Sequence, residues 1–112
     1  MKYLGFYNSS QAGEPVDSDS PIEIEGDEFF ERLLPTLKED GEFLGVIDSG
    51  GTVLQVAYLS DEDEYWIETP RPDLGGSFGA KFDFDASKAL LNSLEAVFPE
   101  EGFESFQFQS WK

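Results

Sequence analysis

The chain contains no cysteine and no histidine. Those absences remove disulfides, thiolate nucleophiles, zinc ribbons, iron–sulfur clusters, imidazole metal ligands and any Ser-His-Asp triad. Carboxylates, Lys, Tyr and Ser remain for chemistry, which leaves room for a glycosidase-like acid/base pair or a carboxylate-only Mg²⁺ or Ca²⁺ site. Basic side chains are scarce: 7 Lys and Arg stand against 24 Asp and Glu, a formal net charge of -17. Such a balance repels nucleic acid, anionic lipid and acidic substrates, and favours a basic protein surface as partner. Long apolar runs are missing too. Nothing approaches the ~18 residues of a membrane span, and the start Met1-Lys2-Tyr3-Leu4-Gly5-Phe6-Tyr7 lacks the apolar run and small-residue cleavage site of a secretory leader. A cytoplasmic protein without membrane contact is expected.

What the chain does have is aromatic weight. Its 112 residues are 39% hydrophobic and include 11 Phe, 4 Tyr and 2 Trp, enough to build a core for one domain spanning 1–112. The acidic residues divide evenly, 12 on each side of the midpoint, so the charge belongs to the folded surface and not to a tail.

Residues 2–7 read as an aromatic-rich strand, 8–21 as a loop rich in Ser, Gly, Pro and Asp, and 22–25 as a half-exposed strand alternating Ile and Glu. Asp27 is placed to cap a helix whose apolar face is Phe30, Leu33, Leu34 and Leu37, with Pro35 forcing a kink or break before Gly41. Strands are expected over 42–48 and 52–59, joined by a tight turn at Ser49-Gly50-Gly51, then over 65–69 and 78–84. The stretch 70–76, with two prolines and two glycines, should end the third of these runs as a turn-rich excursion. Asp85 is placed to cap a second helix carrying Ala86, Leu90, Leu91, Leu94, Val97 and Phe98 on its apolar side, and 103–111 closes the chain as a strand. This order predicts an α+β domain: a mostly antiparallel sheet of five to six strands with two helices on one face.

Few constellations carry chemistry. Asp17 and Asp19 resemble the start of a calcium loop, but Ile22 occupies the position where the loop needs glycine. Asp83 and Asp85 form the best carboxylate pair for a hydrolase, against the plainer expectation that Asp85 caps a helix and Asp83 faces solvent. The glycines of Gly75-Gly76-Ser77-Phe78-Gly79 lack the Lys-Ser/Thr of a phosphate loop. No cofactor or metal is expected. Trp66 and Trp111 are either core or interface anchors. The acidic run Asp61-Glu62-Asp63-Glu64 sits on a predicted turn, and strand alternation places Trp66 and Glu68 together on one face just beyond it. These six residues, Asp61, Glu62, Asp63, Glu64, Trp66 and Glu68, are the candidate partner-binding set, an acidic rim beside an aromatic anchor.

From Pro21 to Trp111 the chain resembles the small immunity proteins associated with nucleic-acid-deaminase and related toxins of bacterial polymorphic toxin systems. The resemblance is carried, in pattern and element order, by the opening strand and helix at 22–34, the hairpin at 44–56, the strand Tyr65-Trp66-Ile67-Glu68 and the late helix before a final strand ending in Trp111. It implies a non-catalytic protein that binds a cognate toxin domain and blocks its active site or substrate groove. Charge is compatible with this, because toxins acting on nucleic acid need basic grooves. A stand-alone nucleic-acid mimic inhibiting a DNA- or RNA-binding protein rests on the same charge, and a small carboxylate-based enzyme is the alternative from another class. The binding face and oligomeric state stay open.

Overall fold

The computed structural model describes residues 1–112. Its strands are β1 (Lys2–Asn8), β2 (Ile22–Glu25), β3 (Phe43–Ile47), β4 (Val53–Leu59), β5 (Glu64–Arg71), β6 (Gly76–Phe82) and β7 (Gln107–Ser110), and its helices are α1 (Gly26–Leu33) and α2 (Phe84–Asn92). All seven strands join one sheet in the order β2-β1-β3-β4-β5-β6-β7, and every pairing is antiparallel. That is more than the five to six expected, because the two four-residue runs β2 and β7 both pair, as the edge strands. From β3 to β7 each strand pairs with its sequence neighbours, which keeps most connections short.

Both helices cover the same face. Tyr3, Tyr7, Leu44, Val46, Leu54, Val56, Tyr65 and Ile67 point to that side and are buried with Phe29, Phe30, Leu33, Leu91 and Phe98 in a 17-residue core. The period-2 alternation of the strands and the period-3.6 stripe of α1 meet there. Pro35 acts as expected: α1 ends at Leu33 and a single 3₁₀ turn, Leu34–Thr36, follows.

Five local expectations are corrected. Asp27 is not the cap of α1; Glu25 takes that position without a side-chain bond, because the Gly26 N–H donates to the Met1 carbonyl at 2.8 Å and starts the helix directly from the strand. Asp83, not Asp85, caps α2, its Oδ1 accepting from the Ala86 N–H at 2.7 Å, so Phe84 lies in the helix and not in the strand before it. The same helix stops at Asn92, well before Phe98, since Ser93 Oγ donates back to the Leu90 carbonyl at 2.7 Å and the Phe98 N–H is drawn to Asp48 Oδ2 at 2.6 Å. Pro70 does not interrupt β5, which runs through to Arg71. Pairing with β4 ends at Glu68, so at Pro70 the strand has a neighbour only in β6, an edge-like position where a missing N–H is tolerated. The last strand is also shorter than its apolar run, because a turn closed by the Phe106 N–H on the Phe103 carbonyl at 2.8 Å precedes it.

The 9–21 loop is tied to the rest by a two-bond backbone bridge between Tyr7 and Val16, by Ser9 Oγ donating to the Thr36 carbonyl at 2.9 Å, and by one carboxylate. Glu42 is 8% exposed and accepts from the backbone N–H groups of Ser10 (2.7 Å), Lys38 (2.8 Å) and Glu39 (2.9 Å) and from Ser10 Oγ (3.0 Å). Burial opposes its ionisation, but these donors outweigh burial and bring its pKa down from 4.5 to about 2. With the folded value below the unfolded one, the stabilisation is complete above about pH 4.5 and is lost as pH falls through about 2. Glu42→Gln should therefore destabilise at neutral pH by about 2 kcal/mol and flatten the acid limb of a denaturation-midpoint profile relative to wild type across that window. Parallel profiles for the two proteins would assign the loop's attachment to other contacts.

Candidate functional site

The β4–β5 turn is acidic and partly organised. Asp63 has φ 50, the one positive value outside glycine, a conformation that Asp tolerates better than most residues. Its Oδ1 accepts from the Tyr58 hydroxyl at 2.7 Å, which raises the Tyr58 pKa. Glu62 pairs with Lys81 Nζ at 2.8 Å and holds that ammonium above its ordinary range. Asp61 and Glu64 have no internal partner, and Asp40 joins the same end of the sheet through the Ser60 N–H at 3.2 Å. Asp40 was not legible as part of this cluster, since it lies in a different loop.

Trp66 is outside the core. Register places it opposite Ala57 on one side and Lys81 on the other, on the sheet face that no helix covers. One face of its indole rests on Gly79, where an added Cβ would stand 2.6 Å from the ring, and its Nε1 donates to Glu68, which also accepts from Ser77 Oγ at 3.3 Å. Trp66 and Glu68 are thus joined directly, next to the acidic turn. Trp111 is distant from them in the sheet order, 56% exposed beyond β7.

The open face continues past this corner. Leu4, Ile47 and Val53 stand directly opposite one another across β1, β3 and β4, and Phe43, Ala57 and Trp66 form a second apolar row across β3, β4 and β5. Between the rows run Phe6, Gly45, Gln55, Glu68 and Gly79. Phe6, 2% exposed yet outside the main core, lies over Gly45, where an added Cβ would meet the ring at 2.1 Å. Gly45 and Gly79 therefore let two aromatic rings lie down on the sheet. The sequence signal for these rows was the failure of β3 and β4 to alternate: Phe-Leu-Gly-Val-Ile and Val-Leu-Gln-Val-Ala-Tyr-Leu are apolar on both faces of a sheet that has helices on only one.

The remaining candidates have structural employment. Asp83 caps α2 and Asp85 sits in its first turn. No group of three or more acidic residues is arranged to hold a metal ion, at Asp17 and Asp19 or elsewhere. Gly75 supplies the left-handed residue after a 3₁₀ turn, and Gly76 packs beneath Phe108. A groove of about 530 Å³ lies between the helices, lined by Phe30, Leu34 and Phe84 with Asp27, Glu31 and Lys88. No protein-family model, curated protein or solved structure matches the chain.

Gly79→Ala tests the seat of Trp66. The methyl group would also stand 2.9 Å from the Ile67 carbonyl, which cannot move away, so the indole must lift. In a Trp111→Phe background, Trp66 emission should shift to the red, with a loss of about 1–3 kcal/mol in stability. Unchanged emission would mean that the ring does not rest on that glycine.

Proposed function

We propose that this is a non-catalytic immunity protein that binds a cognate bacterial toxin of basic charge, one acting on nucleic acid, and neutralises it by covering its active site or substrate groove. The observation that carries this reading is the uncompensated charge. Of 24 acidic side chains against 7 basic ones, only Glu25, Glu62 and Asp73 enter ion pairs, the first of them with the N-terminus. The rest leave a negative field that a basic partner would neutralise. Asp61, Glu62, Asp63 and Glu64 at one turn, with Trp66 and Glu68 behind them, combine a charged rim with an aromatic anchor. No helix is long and apolar enough to cross a membrane. Action in the cytoplasm, where such a toxin would meet nucleic acid, belongs to the same proposal.

The experiment is a binding assay with the protein encoded by the adjacent gene. Association should slow by roughly tenfold or more as salt rises from 0.01 to 0.15 M and the Debye length falls from about 30 to about 8 Å, while dissociation changes less. Replacing Asp61, Glu62, Asp63 and Glu64 with Asn and Gln should keep or raise thermal stability and weaken binding at least tenfold, about 1.4 kcal/mol. A salt-independent association rate would contradict steering by charge. Turnover of an ester, glycoside, phosphate or nucleic acid that Asp83→Asn abolishes would overturn the non-catalytic reading.

A further inference from the structure

The structure points to the open face of the sheet, and not the acidic turn alone, as the docking plate. Resting on the reading above, we infer that a basic protein domain lies flat across the two apolar rows and places an Arg or Lys over Trp66 and against Glu68.

Three observations carry this. First, an antiparallel sheet with one bare face ordinarily shows polar residues there. Here the centre of that face holds Ile47, Val53, Phe43, Ala57 and Trp66, half-buried by one another, with Leu4 exposed beside them, and no helix covers any of the six. Second, the plate is broad. The two rows together cross four neighbouring strands, three spacings of about 4.8 Å, in the middle of a face that six such spacings carry across roughly 30 Å. Gly45 and Gly79 keep it level, since any side chain there would drive Phe6 or Trp66 upward. Third, the charge around the apolar rows selects the occupant. Glu23, Glu64 and Glu68 project on this side, whereas of its two lysines Lys81 is already paired with Glu62. The outer face of the Trp66 indole beside the Glu68 carboxylate suits a guanidinium, which stacks on one and bonds the other. The groove between α1 and α2 offers less selection, because Lys88 stands there beside Asp27 and Glu31.

The test uses the adjacent-gene protein as probe and separates association from dissociation. Leu4→Thr, Ile47→Thr and Val53→Thr together keep β-forming side chains while removing the apolar row. The triple variant should stay folded, associate within about twofold of the wild-type rate with the same salt slope, and dissociate at least thirtyfold faster. Trp66→Phe with Glu68→Gln should also speed dissociation, by tenfold or more. Should the triple variant unfold, Val53→Thr alone should show at least a threefold faster release. Wild-type dissociation from these variants, or loss of binding through Phe84→Ser in the helix groove instead, overturns the docking plate while the toxin-binding reading stands. If the probe is not basic, or wild-type protein does not bind it, the reading of function fails and the docking plate fails with it.

Discussion

Two helices of eight and nine residues cannot cover both sides of a seven-stranded sheet. With both placed on one side, that side takes the main core and the other must be stable in water without a second layer. The bare face manages this through close packing within the sheet surface. Phe6 folds onto Gly45 and Trp66 onto Gly79, and each ring shields backbone that a side chain at the glycine would otherwise have covered. The same device that protects the face also levels it, so the solution to a stability problem leaves a surface shaped for contact.

A second constraint is the shortage of cations. With few Lys and Arg available, the two buried carboxylates, Glu42 and Asp48, are satisfied by backbone N–H groups. Glu42 collects three of them. Asp48 accepts from Gly50 at 2.9 Å and Thr52 at 2.8 Å within the β3–β4 hairpin, and from Phe98 across the fold, so one side chain both closes the turn and anchors the chain after α2. Asp83 does the same for a helix start. These bonds to charged acceptors are about twice as strong as neutral ones, and they let an acidic chain fold without matching each carboxylate to a lysine. The remaining acids are free to shape the outer field.

Much of this was legible before the structure. The succession of elements along the chain, the one-sided helical cover, the break at Pro35 and the pairing of Trp66 with Glu68 on one face all follow from periodicity and turn chemistry. What was not legible depends on three-dimensional proximity. The choice of Asp83 over Asp85 as cap turns on where strand β6 stops, a two-residue matter decided by its pairing with β5. Pro70 looks like a strand breaker until β4 is seen to end pairing at Glu68. Asp48, read only as the end of a strand, gains its role from Phe98, fifty residues away. The apolar rows were visible in the composition of β3 and β4, but which half of each strand would lack a cover depends on where the helices land.

An uncovered apolar face in water invites self-association, and the charge of this chain works against it. Two copies stacked on their open faces would bring Glu23, Glu25, Glu64 and Glu68 of each into one interface, with Lys2, an already paired Lys81 and the N-terminal ammonium already paired with Glu25 as the cations beside them. Desolvating like charges at contact costs several kcal/mol, and salt screens it least where water is excluded. A basic partner reverses each of those terms. The acidic surround therefore distinguishes a copy of the same chain from a partner of opposite sign, and an apolar plate can stay exposed without becoming a liability. On the proposed reading the two features divide the work: long-range charge governs which proteins approach and how fast, while the apolar rows and the Trp66 seat, acting only at contact, govern how long the right one stays.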